Sequence, residues 1–407
     1  MPAVLHLAHA ATRKPGAAAC MLFLAMACSG NDASGQAGFT VRDSLGISIH
    51  ESATLGPRVT ATEELRLGAV NGPPATTFFQ VADARLGSDG TLFVLDGGDN
   101  LVKVFDRSGT PLVAMGGTGE GPAEFAAAWN LEVRGDTILV LDRNLRRIVT
   151  FGSRGALLDT RRIGFSVSEH GFPVALVSRP NGRLLIEGAS GCALPRGPGD
   201  NRWGIYAFGA DGAVDDTLMR ASIGNALPVY TSGPRISCTV VAWPFRPGPT
   251  IAFDPAGGAV TSPADVFEIR RLDASLARVI AVTRWAVPLR RVTAADRRGF
   301  LDHLGARELS LDLRRAAERA VDSIGYPDVW PAIAALKVAG RGSVWALRAR
   351  PIGAEQQEWD VLTDGRHVRT VVLPGGLRVL DVRGERVVGV LMDALDVEYV
   401  AVFRAGG

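Results

Sequence analysis

Two consecutive stretches of this sequence repeat the same pattern. FFQVADARLGSDGTLFVLDGGDNLVKVFDRSGTPLVAMG covers residues 78–116, and EFAAAWNLEVRGDTILVLDRNLRRIVTFGSRGALLDT covers residues 124–160. Each reads as a strand, a glycine turn, a strand ending in Leu-Asp, a polar turn with asparagine, and two further strands joined by a glycine turn. Gly90 and Gly135 mark the same first turn, 45 residues apart. Short strands joined by Asp-Gly and Ser-Gly turns predict β-hairpins.

The length of this repeat predicts the fold. A period of this size with four strands per unit is typical of one blade of a β-propeller. Looser units with the same strand rhythm begin at PVALVSRPNG, TIAFDPAGG and IAALKVAGRG, and LRVLDVRGE opens three strands of a sixth unit. We expect residues 39–52 to supply the missing outer strand, because pairing the first and last strands removes the open sheet edge. The prediction is an all-β, six-bladed β-propeller of four-stranded blades over residues 39–407.

The second repeat resembles a known repeat family. GTGEGPAEF followed by ILVLDRNLRRIVTF is similar to the NHL-type repeat, which reads Gly-x-Gly-Pro-Gly-x-Phe, a strand, and then Tyr-Val-x-Asp-x-x-Asn-x-Arg-Ile. Trp129 and Asn130 depart from the usual Pro-x-Gly before the inner strand. The resemblance is specific over residues 78–160 and architectural elsewhere. It implies a secreted, six-bladed propeller of the bacterial lipoprotein type. The matching residues are Gly119, Gly121, Pro122, Phe125, Asp142, Asn144, Arg147 and Ile148.

The glycine-rich run GGTGEGPAEF is interpreted as a turn between blades. A dinucleotide-binding loop needs Gly-x-Gly-x-x-Gly opening a helix, whereas Gly117, Gly119 and Gly121 are spaced two and two. A P-loop needs a lysine, and the run contains none. We therefore expect the glycines to permit positive φ where the chain crosses between blades, and Phe125 to pack between neighbouring sheets.

The first thirty residues have the parts of a secretory signal. Arg13 and Lys14 form a basic flank, and residues 17–27 form an apolar run that is shorter than the ~20 residues a membrane span needs. Ala27 then precedes Cys28. This resembles a lipoprotein signal, in which the cysteine is acylated and becomes the first residue of the mature chain.

The leader sets the predicted location. It predicts a signal peptide over residues 1–27, a flexible tether over 28–38, and a mature protein lipid-anchored to the bacterial cell envelope on its periplasmic or extracellular side. An ordinary signal peptide with a chance cysteine, and acylation at Cys20 instead of Cys28, are the alternatives. No later segment is long and apolar enough to span a membrane, so the lipid is the only membrane contact expected.

Charge and composition exclude two classes of protein. The chain has 44 basic and 42 acidic residues, and the two basic residues of the leader account for the whole excess. A neutral mature chain lacks the basic surface that nucleic-acid binding requires. Since 47% of the residues are hydrophobic and 21% are charged, a packed core is expected and global disorder is not.

Two long insertions carry the remaining cysteines. Cys192 lies in an insertion between the second and third strands of blade three, and Cys238 lies in the connection between blades three and four. In a propeller these two kinds of loop share one face, and the compartment is oxidising. We therefore predict a Cys192–Cys238 disulfide, which would stabilise the fold by roughly 3 kcal/mol; two free buried cysteines are the alternative.

A third insertion reads as helical. Residues 293–325 begin with Thr293 and Asp296 in a capping-box spacing, and Gly325 is a plausible C-terminal stop. An apolar stripe runs along the segment. We expect this stripe to pack on the propeller, and a partner-binding helix or lid is the alternative. The segment joins blades four and five, so it lies on the same loop face as the other insertions.

The loop face is the predicted binding surface. Three long insertions on one face favour a walled pocket there, and arginine together with tryptophan suits carboxylate, phosphate or sugar ligands. Asp96 and Asp142 are also read as caps of their own turns, and the tryptophans as core residues. The candidate ligand residues are Asp96, Trp129, Asn130, Asp142, Arg143, Arg202, Arg235, Trp243 and Arg350.

Function is predicted only at the level of class. The favoured hypothesis is a binding module, expected to be monomeric, for an unknown small molecule or protein, with no cofactor and no catalytic residue. The alternative is a metal-dependent, lactonase-like hydrolase or lyase with its site in the central channel. Calcium is the ion considered, although it needs about 6–8 oxygen ligands and matching carboxylates do not recur from blade to blade. A serine hydrolase is disfavoured because Gly-x-Ser-x-Gly is absent.

Overall fold

Six antiparallel β-sheets follow one another along the chain as the blades of a propeller and enclose a central channel. The computed structural model describes residues 38–190, 202–224, 226–230, 238–306, 309–340 and 342–406. The first strand of each blade is the innermost. The inner strands lie against one another around the channel, so their side chains form its wall.

The two repeats of the sequence are the first two blades. Each forms one four-stranded antiparallel sheet, as the strand rhythm predicted. The strands before them are β1 (Phe39–Ser44), β2 (Ile47–Ser52), β3 (Arg58–Thr60) and β4 (Thr62–Leu67), followed by a 3-10 turn at Pro74–Thr76. Blade one contains β5 (Val81–Leu86), β6 (Leu92–Asp96), β7 (Leu101–Phe105) and β8 (Pro111–Gly116). Blade two contains β9 (Ala128–Arg134), β10 (Thr137–Asp142), β11 (Arg147–Gly152) and β12 (Leu157–Arg162).

Blades three and four are separated by a two-stranded hairpin. The short helix α1 (Val167–His170) precedes blade three, which contains β13 (Phe172–Ser178), β14 (Leu184–Ala189), β15 (Arg202–Phe208) and β16 (Val214–Ser222). The hairpin consists of β17 (Ala226–Tyr230) and β18 (Cys238–Ala242). Blade four contains β19 (Thr250–Phe253), β20 (Ala259–Ser262), β21 (Glu268–Leu272) and β22 (Val279–Trp285).

The helical insertion separates blades four and five, as predicted. It consists of α2 (Ala294–Ala306) and α3 (Leu311–Ile324). Blade five contains β23 (Ile333–Gly340), β24 (Ser343–Arg348), β25 (Gln356–Thr363) and β26 (Arg366–Pro374). Blade six contains β27 (Arg378–Arg383), β28 (Arg386–Met392) and β29 (Glu398–Arg404). In the part of the chain that the structure describes, no helix has the length and apolar character of a membrane span.

The N-terminal segment closes the ring with a different strand from the predicted one. β4, not residues 39–52, pairs antiparallel with β29 as the outer strand of blade six. Leu65 and Leu67 of β4 explain the choice, because they pack into the apolar layer between blades six and one. The hairpin β1–β2 instead adds to the outer edge of blade four through a parallel pairing of β2 with β22, and β3 covers β26 of blade five.

The predicted turn between blades one and two has the expected conformation. Gly116, Gly117 and Gly119 have φ of 102°, 140° and 159°, and Phe125 is fully buried between the two sheets, edge-on to Phe151 at 6.1 Å. The guanidinium of Arg147 donates to three carbonyl oxygens of this loop, those of Glu120, Gly121 and Glu124. The loop is a structural connection, and its polar groups are occupied by the protein itself.

The helical insertion begins and packs as the sequence predicted. Thr293 and Asp296 form a reciprocal capping box, with Thr293 N donating to Asp296 Oδ2 at 2.8 Å and Asp296 N donating to Thr293 Oγ1 at 3.2 Å. Gly325 (φ 69°) ends α3, and its backbone N–H donates a hydrogen bond to Val321 O. The apolar stripe, which includes Phe300, packs against the aromatic side chains of Trp243, Phe245 and Trp330. The stripe is therefore part of the hydrophobic core.

Candidate functional site

The predicted aspartates stabilise their own turns. Asp96 is fully buried and accepts hydrogen bonds from Lys103 Nζ at 2.7 Å and from Phe79 N at 3.2 Å. Asp142 is also fully buried, and its carboxylate accepts four backbone N–H groups, from residues 126, 127, 144 and 145. Both carboxylates are thus engaged by groups of the protein itself, which supports the interpretation that they cap their own turns. Their assignment to a ligand site stays a prediction.

Asn130 links three blades through its side chain. Its Nδ2 donates to Asp83 Oδ2 in blade one at 2.6 Å, and its Oδ1 accepts from Leu176 N in blade three at 2.7 Å. The side chain is 7% exposed. Both of its side-chain polar atoms have partners in neighbouring blades, and its assignment to the ligand face stays a prediction.

Trp129 and Arg143 do meet on the loop face. The Arg143 guanidinium lies 4.4 Å from the centre of the Trp129 ring and 4.8 Å from that of Phe172. Trp129 and Phe172 are 42% and 39% exposed. Because two rings already cover the cation, this cluster offers an aromatic surface more than a free charge.

Several predicted residues fall outside the part of the chain that the structure describes. Cys28, Cys192 and Arg235 lie there entirely. Cys238 and Arg202 lie at the ends of β18 and β15, but their side chains are not described. The disulfide and the lipid anchor therefore stay predictions.

Trp243 and Arg350 both line a groove on the loop face. The groove consists of two adjoining cavities of about 520 and 720 Å³, and we call them together the loop-face groove. They share Ala334, Leu347, Arg350, Gly375 and Gly376 in their walls. Trp243 is otherwise a core residue, only 1% exposed, as the alternative interpretation expected. Arg350 is the one predicted ligand residue that faces both cavities.

The floor of the groove depends on a close approach of two loops. Gly375 N donates to Glu355 O at 2.7 Å, and a Cβ at position 375 would lie 1.7 Å from Ala354 O. The Arg350 guanidinium also binds this loop, with Nη2 donating a hydrogen bond to Gly375 O at 2.6 Å. Partial burial lowers the pKa of Arg350, but an arginine remains charged at every physiological pH.

All the charged side chains that line the cavity of about 520 Å³ are positive. Its charged wall residues are Lys337, Arg350 and Arg378, and no aspartate or glutamate is among its lining residues. In the described part of the chain, neither Lys337 nor Arg350 lies within ion-pair distance of a carboxylate; each donates to a backbone carbonyl. Arg378 is 3.9 Å from Glu398, which lies outside the cavity. This cavity is suited to an anion.

The other cavity supplies apolar walls. Its volume is about 720 Å³, and its lining includes Trp330, Pro331, Pro351 and Ile352. Arg246 and Glu355 are its exposed charged residues besides Arg350. A ligand with an apolar body and one anionic group would match the two parts of the groove together.

Sequence reasoning missed a charged layer inside the channel. A cavity of about 490 Å³ is bounded by residues from all six inner strands. The register of the inner strands places Arg85, Glu132, Lys337 and Asp381 at equivalent positions in four blades. This layer contains both positive and negative side chains, so it differs from the ring of carboxylates considered for calcium. Among the described residues, no group of three His, Cys, Asp or Glu side chains is placed to hold a metal ion.

Cations from blades one and five share one acceptor in this layer. Lys337 Nζ donates to Leu380 O at 2.6 Å, and Arg85 Nη1 donates to the same oxygen at 3.1 Å. Arg85 also pairs with Asp83, Nη2 to Oδ2 at 2.9 Å. Burial, assisted by the neighbouring charge of Arg85, lowers the pKa of Lys337.

The pKa values of two channel acids, Glu132 and Glu187, are shifted upward. Burial raises the pKa of Glu132 to about 7. Burial also raises the pKa of Glu187, which accepts a hydrogen bond from Trp203 Nε1 at 2.5 Å. Glu132 is therefore a channel group that can exchange a proton near neutral pH.

A sequence signal for the channel did exist. Glu132, Lys337 and Asp381 each follow an apolar residue and precede a valine on an inner strand, in NLEV, ALKV and VLDV. Lys337 is further marked because the chain contains three lysines, Lys14, Lys103 and Lys337, among its 44 basic residues. The positions are recognisable only when the strands are known to be innermost.

Comparison with known proteins agrees with the fold. A family model described as a 6-bladed beta-propeller matches residues 86–181, which run from the end of the first strand of blade one to just beyond the first strand of blade three. No curated protein matches the chain. The chain is thus a six-bladed β-propeller, and its class is defined by architecture.

Solved structures with similar folds have low sequence identity to this chain. A member of the DUF4221 family from Bacteroides vulgatus has 10% identity and a TM-score of 0.48, covering 84% of this chain and 97% of its own. Virginiamycin B lyase from Staphylococcus aureus has 12% identity and a TM-score of 0.42, covering 84% and 98%. Regucalcin from Agrobacterium tumefaciens, a calcium-binding protein, has 13% identity and a TM-score of 0.41, covering 87% and 98%. With TM-scores below 0.5, these likenesses carry no argument about the function of this chain.

Proposed function

We propose that this protein is an extracytoplasmic, lipid-anchored propeller that binds a small organic anion in the loop-face groove. The observation that carries the proposal is the cavity lined by Lys337, Arg350 and Arg378 with no acidic residue in its wall. Arg350 has no carboxylate within ion-pair distance among the described residues, so an anionic ligand group would supply the charge-assisted hydrogen bonds that its guanidinium can still donate.

Arg350 is the principal anion-binding residue in this proposal. One N–H of its guanidinium is held by Gly375 O, which fixes the side chain and leaves the other donors for a ligand. A planar guanidinium fixed in this way can bind a carboxylate through two parallel hydrogen bonds. Arg246 at the outer end of the groove would strengthen attraction of the anion.

The apolar cavity binds the rest of the ligand. Rings and prolines line it, so a hydrocarbon or aromatic body is favoured over a sugar or a free inorganic ion. The combined volume of the two cavities is suited to a molecule of metabolite size.

Matched acid and amide ligands test the charge requirement. We would measure binding of indole-3-acetate and its uncharged amide, and of phenylacetate and its amide, to the mature chain by calorimetry. The proposal expects each acid to bind at least about tenfold more tightly than its amide, and Arg350→Gln to remove most of the difference. Equal binding of acid and amide, or no binding of either, would overturn it.

The location is a separate part of the proposal and rests on the leader. Residues 17–27 and Cys28 support acylation of the mature N-terminus. Expression of the full chain in a bacterial host with labelled palmitate should give a labelled membrane-associated protein. Cys28→Ser should abolish the label while Cys20→Ser leaves it; retained label in Cys28→Ser would contradict the anchor.

A further inference from the structure

We propose that Lys337 is a nucleophilic amine that captures a carbonyl-bearing organic anion as an imine. This rests on the proposed function, since the arginines of the loop-face groove would hold the anionic group while the carbonyl reaches the lysine. It adds a covalent step and a narrower ligand class, the aldehydes and oxo acids.

The position of Lys337 gives it access from two sides. It is part of the wall of the loop-face groove and of the channel cavity of about 490 Å³. It lies on the inner strand β23, so its side chain is supported by rigid sheet on both sides. A ligand whose anionic end is bound by Arg350 would place its other end toward this amine, because both residues line the same cavity.

The contacts of Lys337 favour an amine that is readily deprotonated. Its ammonium donates to one neutral acceptor, Leu380 O, and in the described part of the chain no carboxylate lies within ion-pair distance. The Arg85 guanidinium donates to that same oxygen, so a second positive charge lies close by. Burial and this neighbouring cation lower the pKa of the lysine and outweigh the opposing charges of Asp83, Asp381 and Glu187. Burial beside another cation is a recognised way to activate an amine.

Carboxyl groups around the amine can assist the proton transfers. Glu187 interacts electrostatically with Lys337, and burial raises the pKa of its carboxyl, so it can donate a proton to a carbonyl oxygen. The other charged groups that face the channel near the lysine are Asp83, Arg85, Glu132 and Asp381.

The condensation balances without any further reactant. The neutral Nζ attacks the carbonyl carbon and forms the N–C bond, while Glu187 gives a proton to the carbonyl oxygen. The nitrogen then returns one proton to Glu187. Its second hydrogen is transferred to the hydroxyl group on the former carbonyl carbon, which leaves as water. One C=O bond is replaced by one C=N bond, and nothing is oxidised or reduced.

Lys103 provides a comparison for the reactivity of Lys337. Lys103 is 4% exposed in its side chain and is paired with Asp96 at 2.7 Å and Asp99 at 3.1 Å. These are the two lysines of the chain beyond the leader, so one digest reports both. Lys103 is the internal control for a lysine that is buried and paired.

Reductive alkylation provides the experiment. The mature chain would be incubated at neutral pH with cyanoborohydride and either glyoxylate, an anionic aldehyde, or propanal, a neutral one. Mass spectrometry then gives the rate of modification at each lysine in the native and the urea-unfolded protein. We expect Lys337 to react at least about tenfold faster in the native state than unfolded, and Lys103 to be protected. A native rate for Lys337 at or below its unfolded rate with both probes would overturn the inference.

Two variants separate this inference from the proposed function. Lys337→Arg should lose the native modification, because the charge is kept and the amine is lost. Arg350→Gln should slow modification by glyoxylate and leave propanal unaffected. If Arg350→Gln alters neither probe, anion binding has failed while the reactive lysine stands; if Lys337 is unreactive while the acids still bind more tightly than their amides, only the lysine inference fails.

Discussion

The side-chain amide of Asn130 donates to the carboxylate of Asp83 across the boundary between blades one and two, with Nδ2 and Oδ2 2.6 Å apart. Asp83 Oδ2 also accepts from Leu131 N at 3.0 Å, and Asn130 Oδ1 accepts from Leu176 N at 2.7 Å. Three consecutive inner strands are thus joined through two side chains. The bond is structural, although Asn130 had been predicted to face a ligand.

Removal of Asn130 should therefore destabilise the fold. Asn130→Ala leaves the Asp83 carboxylate short of a donor and Leu176 N–H without its acceptor, both in buried surroundings. We expect the free energy of unfolding to fall by about 3 kcal/mol. Asn144→Ala is the matched control, because Asn144 lies on an exposed turn, and its cost should be below about 0.5 kcal/mol. Equal urea midpoints for the two variants would contradict this account.

Asp360 in blade five should carry much of the acid sensitivity of the fold. It is fully buried and accepts from Trp285 Nε1 at 2.8 Å, from Arg348 Nε at 2.9 Å and from Thr370 Oγ1 at 3.0 Å. His367 Nε2 lies 2.9 Å from it; since His367 Nδ1 accepts from Gly56 N, Nε2 is the protonated nitrogen that donates.

Two variants test this network. Asp360→Asn removes the buried carboxylate that Arg348 and His367 share and leaves Arg348 only its pair with Glu358 at 2.6 Å, so it should cost about 3–5 kcal/mol. Thr370→Val removes one hydrogen bond and should cost about 1 kcal/mol. Comparable losses in the two variants, measured by urea unfolding at pH 7, would show that the carboxylate is not central.

The pH dependence of this network has a definite sign. Burial alone would raise the pKa of Asp360, but hydrogen bonds from His367 and Arg348 lower it to about 2 from 3.8. A lowered pKa in the folded state gives stability that is present above pH 3.8 and is lost as the pH falls toward 2. The wild-type unfolding free energy should fall over this interval more steeply than that of Asp360→Asn.

Glu132 in the channel should act with the opposite sign. Burial raises the pKa of Glu132 to about 7 from 4.5, so its contribution to stability is greatest below pH 4.5 and is lost as the pH rises toward 7. Glu132→Gln should match the wild type at pH 4 and exceed it by up to about 3 kcal/mol at pH 8. A difference that does not change with pH would contradict this, and Asp360→Asn, whose dependence lies at lower pH, is the control.

Neighbouring glycines test the geometry of the groove floor. A Cβ on Gly375 would lie 1.7 Å from Ala354 O, whereas a Cβ on Gly376 would meet nothing within 4 Å. Gly375→Ala should cost about 1–3 kcal/mol and weaken anion binding, because Gly375 O holds Arg350. Gly376→Ala should leave both unchanged. Thermal unfolding measures the stability of the two variants, and calorimetry measures their anion binding. Equal effects of the two substitutions would mean that the loop contact is not required.

Local pattern in the sequence was sufficient for the architecture. The four-strand repeat, the glycine turn with Phe125, the capping box at Thr293 and the stop at Gly325 all depend on neighbours within a few residues, and all are confirmed. Turn chemistry and alternating burial act over short distances along the chain, so one sequence reveals them.

The closing strand and the roles of the polar residues were decided by tertiary structure. Residues 39–52 and β4 both have strand character, and only the fit of Leu65 and Leu67 between blades selects β4. Asn130 became a link between blades because its partners, Asp83 and Leu176, are about 46 residues away in either direction.

The sequence by itself was sufficient to predict the number and order of the blades and the helical insertion between blades four and five. The secretory leader stays a prediction from the sequence. Only the tertiary structure decided that Lys337, Arg350 and Arg378 share a cavity without carboxylates, and that Lys337 and Arg85 share the carbonyl of Leu380. The physical reason is that a propeller ring brings together side chains from blades that are distant in sequence. Burial and charge then act between neighbours that no local pattern specifies.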